Sequence, residues 1–151
     1  MMDSNIELIR APQNYLSAQA CVAMVTKVPL ETILEDMGRR LIQTTIVLIN
    51  EFYKYGYECG LGLVRVGKGW REQIKAKDNQ ITTYSDYALV KLKCADKSFF
   101  GITKSLKWVV LFKNRIYDPI RMEVYDEFTD KALSYLIVWP GLSLRAQNDI
   151  K

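Results

Sequence analysis

The hydrophobic period of this chain changes once, near residue 86, and that change limits the folds open to it. Before it, apolar residues recur at helical spacing; after it, they alternate. Leu16, Ala20, Ala23, Met24 and Val28 predict a buried helix over about Ser17–Thr26, behind a loop at Ala11-Pro12-Gln13. Pro29 is a favoured helix opener. Ile33, Leu34, Met37, Leu41 and Ile42 continue the period behind it, with Glu31, Glu35 and Asp36 near the positive end and an interruption at Gly38-Arg39-Arg40. A third helix is expected over Thr44–Tyr53, ahead of a turn at Tyr55-Gly56. The run GLGLVRVGKGW at 60–70 reads as loop and short extended chain, and its glycines lack the spacing of a phosphate-cradling loop.

From residue 86, Tyr87, Leu89, Lys91 and Lys93 point one way, while Ala88, Val90, Leu92 and Cys94 point the other. A second strand is expected over Trp108–Phe112, turning at Lys113-Asn114-Arg115 and returning through Ile116-Tyr117 to Asp118-Pro119. A third, Ser134–Trp139, stops at Pro140-Gly141. Helices followed by antiparallel strands give an α+β layout. A chain of 151 residues with no repeat or linker is read as one domain, 1–151, large enough for a core without metal or disulfide staples.

Composition narrows the chemistry further. There is no histidine, so Ser-His-Asp and Cys-His catalysis within this chain is excluded, and so is the commonest metal ligand. Cys21, Cys59 and Cys94 form no CxxC pair and read as buried free thiols. No cofactor and no metal are expected. The start, MMDSNIELIR, lacks a secretory pattern, and no apolar run reaches the ~18 residues of a membrane span. A cytoplasmic protein away from membranes is the expectation, and scattered unpaired cysteines fit it.

Twenty-one Lys and Arg against seventeen Asp and Glu leave a net charge of +4 without a block of one sign. The densest basic stretch, Lys91, Lys93, Lys97, Lys104, Lys107 and Lys113, alternates with apolar residues and reads as the solvent side of strands. The alternative is a nucleic-acid surface on the lysine-rich half, with Tyr87, Phe99, Phe100 and Trp108 as stacking groups and an affinity that falls steeply with salt.

Two strings, APQNYLSAQACVAMVTKVPLETIL at 11–34 and SLKWVVLFKNRIYDP at 105–119, resemble the papain-like cysteine peptidases of the bacteriocin-processing, double-glycine type, most of all short phage and bacterial members. The resemblance implies a papain-like fold, N-terminal helices packed on a C-terminal antiparallel sheet. It puts Gln13 at the oxyanion-stabilising Gln and, counting back from Ala23-Met24, Ser17 at the nucleophile. Lys107 stands at the catalytic His, just before Trp108-Val109-Val110, and Asp118 at the group that orients it.

Two of these chemical groups are replaced. A cysteine at a helix start beside an imidazole is readily a thiolate, whereas a serine hydroxyl needs a strong neighbouring base. Without one, Ser17 is simply a good N-cap. Lys107 could act as that base if it were deprotonated, but an adjacent Asp118 favours its ammonium and a salt bridge in the old His site. Cys21, inside an apolar helix, is a poorer nucleophile still.

The resulting expectation is a catalytically inactive papain-like protein that keeps a surface for binding another protein. A hydrolase using Ser17 with Lys107 is the enzymatic alternative. Tyr53, Tyr55, Tyr57, Trp70, Tyr84 and Tyr87, in or near expected loops and edges, are the candidate protein-binding residues. The likeness to small phage proteins implies a phage-encoded inhibitor acting in the host cytoplasm, with a host enzyme or defence complex as partner.

Overall fold

The computed structural model describes residues 6–42, 44–63, 87–93, 106–113, 115–126 and 131–141. Helix α1 (Ser17–Thr26) follows a single 3-10 turn at Asn14–Leu16. Its sequence, SAQACVAMVT, contains no charged residue, and every residue from Ser17 to Val25 is buried. A helix that is apolar or small all round belongs at the centre of a fold rather than on its surface. It ends where Lys27 turns left-handed at φ 66° and donates its backbone N–H to the Ala23 carbonyl.

Helix α2 (Leu30–Met37) begins one residue after Pro29 and buries Ile33, Leu34 and Met37. It stops at Gly38, whose φ of 86° and ψ of 160° lie in a region essentially closed to residues with a Cβ. Leu41 and Ile42 therefore do not prolong the helix, and Ile42 enters the core from the connecting segment. Helix α3 (Thr45–Lys54) buries Leu48, Glu51 and Phe52.

Among the described residues the sheet has six strands: β1 (Tyr57–Leu63), β2 (Tyr87–Lys93), β3 (Leu106–Phe112), β4 (Arg115–Asp118), β5 (Glu123–Tyr125) and β6 (Lys131–Pro140). They lie in the order β1-β6-β2-β3-β4-β5, every neighbouring pair antiparallel. The longest strand, β6, lies between β1 and β2, so Val138 is opposite Cys59 on one side and Tyr87 on the other. The α+β architecture expected from the period change is thus observed, helices packed on an antiparallel sheet.

Two strands differ from expectation. Tyr57–Leu63 is a regular strand paired along its length with β6, whereas the stretch from residue 60, with Gly60 and Gly62, read as loop and short extended chain. The packing accounts for Gly60: a Cβ there would sit 3.3 Å from the Trp139 ring that crosses it. The short β5 carries no periodic signal, because two of its three residues, Glu123 and Val124, are exposed.

Both faces of the sheet are buried. Tyr87, Leu89, Trp108, Val110, Phe112, Leu136 and Val138 meet the helices through Cys21, Val22, Met24, Ile33, Leu48 and Phe52. The opposite face gathers Ala88, Val90, Leu92, Val109, Leu111, Ile116, Tyr135 and Ile137. Two expectations fail for this reason. Tyr87 is not an edge aromatic: it is 9% exposed and stacks on Phe112 with centroids 4.7 Å apart. Lys107 is not on a solvent side, since the face it shares with Val109 and Leu111 is itself buried, leaving it 2% exposed.

The chain between α2 and α3 is pinned from two sides. Gln19 Nε2 donates to the Gly38 and Arg40 carbonyls at 2.9 and 2.8 Å, and Trp108 Nε1 donates to the Ile42 carbonyl at 3.0 Å. Replacing Gln19 with Leu removes two of these donors and strands two carbonyls, so urea unfolding should show a loss of about 1–3 kcal/mol with an unchanged m-value. An unchanged midpoint would mean that water takes over both bonds.

Candidate functional site

Ser17 is the first residue of α1 and is 2% exposed. Leu16, not Ser17, occupies the cap position, and the Ser17 hydroxyl does not cap its own helix. Its Oγ instead accepts the backbone N–H of Trp108 at 2.9 Å, joining the start of α1 to β3. The hydroxyl is thereby in register with the residue that follows Lys107.

Lys107 sends its Nζ to Asp118 Oδ2 at 2.8 Å, with side chains 3% and 0% exposed. The pair bridges β3 to the end of β4, which is why its members lie eleven residues apart. Asp118 Oδ1 accepts the N–H groups of Ile120 and Arg121 at 2.9 and 3.0 Å, closing the turn after β4. Its Oδ2 also accepts the Tyr125 hydroxyl at 2.7 Å. Each oxygen therefore has two donors, the condition under which a buried carboxylate is tolerated. Burial pushes the Asp118 carboxyl up, but the bonds from Lys107, the Arg121 amide and Tyr125 outweigh it and hold Asp118 below the usual carboxylate range.

The same corner carries the N-terminal segment. Ala11 N–H donates to the Pro119 carbonyl at 3.0 Å, and Met122 N–H to the Asp118 carbonyl at 2.9 Å. Gln13 lies beyond Ala11 on the exposed turn before α1, where its carbonyl accepts the Leu16 N–H. Of the four positions singled out in the sequence, Ser17, Lys107 and Asp118 are thus linked through β3, and Gln13 stands at the surface near them in sequence. Tyr125 and Gln19 were missed: each acts across the fold, and neither carries a local motif.

In this arrangement Lys107 Nζ donates to the Asp118 carboxylate and Ser17 Oγ accepts the Trp108 amide. Cys21, one turn further along α1, is fully buried; burial first and the Asp118 charge second push its thiol well above the ordinary range, so it offers no thiolate. Cys59, half-buried on β1, is pushed up to about 12 by burial and by Glu58. Cys94 lies outside the described residues. Among the described residues no three His, Cys, Asp or Glu side chains come together as a metal cluster.

The other candidates scatter. Tyr53 on α3 is 74% exposed. Tyr55 is half-buried with its hydroxyl on Asp36, and Tyr57 packs edge-on to Phe52 with its hydroxyl near the Val25 carbonyl. Trp70 and Tyr84 lie outside the described residues, as do Lys97, Lys104, Phe99 and Phe100. Lys91 places its Nζ 5.8 Å from the centre of the buried Trp108 ring, within cation–π distance. Trp108 is therefore core, not a stacking platform for bases.

No family model and no curated protein sequence matches the chain. Its structure is similar to that of a double-glycine motif protease from an AMS/PCAT transporter, solved in complex with the leader peptide. The likeness has a TM-score of 0.54 at 17% identity and covers 91% of this chain and 93% of that one. The chain has a papain-like peptidase fold. In this papain-like arrangement the start of a central helix meets the start of a sheet strand, and Ser17 and Lys107 stand at that junction. Among the described residues no helix is long and apolar enough to cross a membrane.

Because Asp118 is held below the usual range, its contribution to stability is complete above the ordinary Asp pKa of about 3.9 and is lost as pH falls through its folded value. Acid unfolding should therefore be shallower in Asp118→Asn than in the native chain, and the variant should be less stable at neutral pH, where Lys107 loses its partner. Equal slopes in acid would show that the carboxylate carries no such term.

Proposed function

We propose that this chain is a papain-like pseudopeptidase: a protein that has the peptidase fold without its chemistry and works by binding another protein. The observation that carries the reading is the engagement of the base position. Lys107 is buried on Asp118, and the Ser17 hydroxyl accepts a strand amide. The fold's neighbour was solved with a peptide bound, which supports a polypeptide as the ligand class. Exposed Tyr53 and Ile46, 74% and 64% accessible on α3, offer the kind of apolar anchor that protein partners use. The mild positive charge suits an acidic partner surface, chiefly by raising the association rate.

The likeness of the sequence to short phage members extends this reading to a phage-encoded inhibitor of a host or defence protein in the host cytoplasm. The competing reading, a hydrolase, requires Lys107 to leave Asp118 and deprotonate Ser17. Affinity capture from host cytoplasm with the native chain and with Ser17→Ala separates the two. A stoichiometric partner recovered intact with both proteins is the expected result. A partner cleaved or modified by the native chain and left whole by Ser17→Ala would establish the hydrolase instead.

A further inference from the structure

The end of α1 remote from Ser17 borders a cavity that the pseudopeptidase reading does not use. Its volume is about 150 Å³, and it lies where α1 stops and the chain turns into α2, with the N-terminal segment along its other side. Ala23 and Met24, on the last turns of α1, are buried and form its floor. Ile9 and Val28, half-buried against the core, form its sides. Glu7 and Lys27 line the same cavity but are exposed, so two opposite charges stand at its mouth.

Size and lining together define what fits. A space of this size admits one group about as large as benzene, and it falls well short of the roughly 300–1,000 Å³ of pockets that enclose drug-sized ligands. The apolar part brings no ring and no hydroxyl, and the unbranched Met24 thioether adapts its shape to an aliphatic group. A bare hydrocarbon would leave both charges at the mouth without a counterpart. An α-amino acid carries an ammonium and a carboxylate on the carbon that bears its side chain, so one small molecule can meet the apolar floor and both charges. The two helix ends have the same polarity: the last carbonyls of α1 are partly negative, and α2 opens behind Pro29 with no side-chain cap over its partly positive end.

We propose that this cavity binds a free aliphatic α-amino acid of about the size of leucine, its side chain on Ala23 and Met24, its ammonium at Glu7 and its carboxylate at Lys27. Lys27 gives up only one of its three N–H donors for this. Binding is reversible and makes no covalent bond. Met24 is seven residues along α1 from Ser17, roughly 10 Å of helix, so the site is separate from the Ser17, Lys107 and Asp118 corner. It also does not depend on whether that corner is a hydrolase or a binder.

The test is a titration of the full chain with L-leucine, followed by the Met24 methyl signal in protein labelled with carbon-13 at its methionine methyls, the signal being assigned with Met24→Leu. The methyl should shift saturably, with a Kd of about 1 mM or tighter. N-acetyl-L-leucine lacks the ammonium and L-leucinamide the carboxylate, and each should bind roughly fivefold more weakly, the scale of one partly exposed ion pair. Glycine, the head group without the side chain, should not move the signal. The exposed substitution Glu7→Gln should weaken L-leucine by a similar factor and leave N-acetyl-L-leucine unchanged. A Met24 methyl that does not respond to leucine would overturn the site. Equal affinity for leucine and N-acetyl-L-leucine, or a Glu7→Gln variant that binds leucine as the native chain does, would overturn the amino acid as its ligand and leave a slot for a side chain alone.

Discussion

Two opposite charges buried against each other, Lys107 and Asp118, set the terms for one corner of this structure. Neither can stand alone there, because an unpaired ion out of water costs several kcal/mol, roughly what a domain has to spare. The surrounding chain is arranged accordingly. Strand β4 ends at Asp118, the following turn supplies two amides, β5 folds back to supply the Tyr125 hydroxyl, and β3 supplies the ammonium. The N-terminal segment then ties to the same turn through Ala11 and Pro119. The Lys107–Asp118 pair thereby cross-links β3 to the end of β4 at this corner.

The helical half meets this corner through α1. Its lack of charge lets it sit buried on every side, and its small residues bring it close to β3, so that Ser17 reaches the Trp108 amide. Gln19, the other polar residue near its start, grips the chain leaving α2. The two polar side chains in the first turn of α1 thus position other segments, Ser17 the start of β3 and Gln19 the chain after α2.

Much of this was legible in the sequence, and the exceptions have physical causes. The extent of α1 followed from its apolar spacing, and the stop of α2 from Gly38, a residue suited to the backbone angles found there. The alternation after residue 86 correctly separated the two faces of β2, but it could not say that both faces are covered. That is why Tyr87 read as a surface aromatic and Lys107 read, on periodicity alone, as solvated. Strand β1 was obscured by Gly60 and Gly62, and at Gly60 the reason for the glycine is the Trp139 ring on the neighbouring strand. Tyr125 bonds Asp118 only because β5 turns back on β4, a contact that no linear pattern records. The Lys107–Asp118 pairing itself was visible because a resemblance placed both residues at facing positions of a known site.

Lys107 and Asp118 act as one structural unit, and a double-mutant cycle measures their coupling. Denaturant unfolding of Lys107→Met, Asp118→Asn and the double variant gives the coupling. Each single change should cost about 3–5 kcal/mol, and the double variant should lose at least ~1 kcal/mol less than their sum. Additive losses, within about 0.5 kcal/mol, would contradict this coupling and leave Lys107 energetically independent of Asp118.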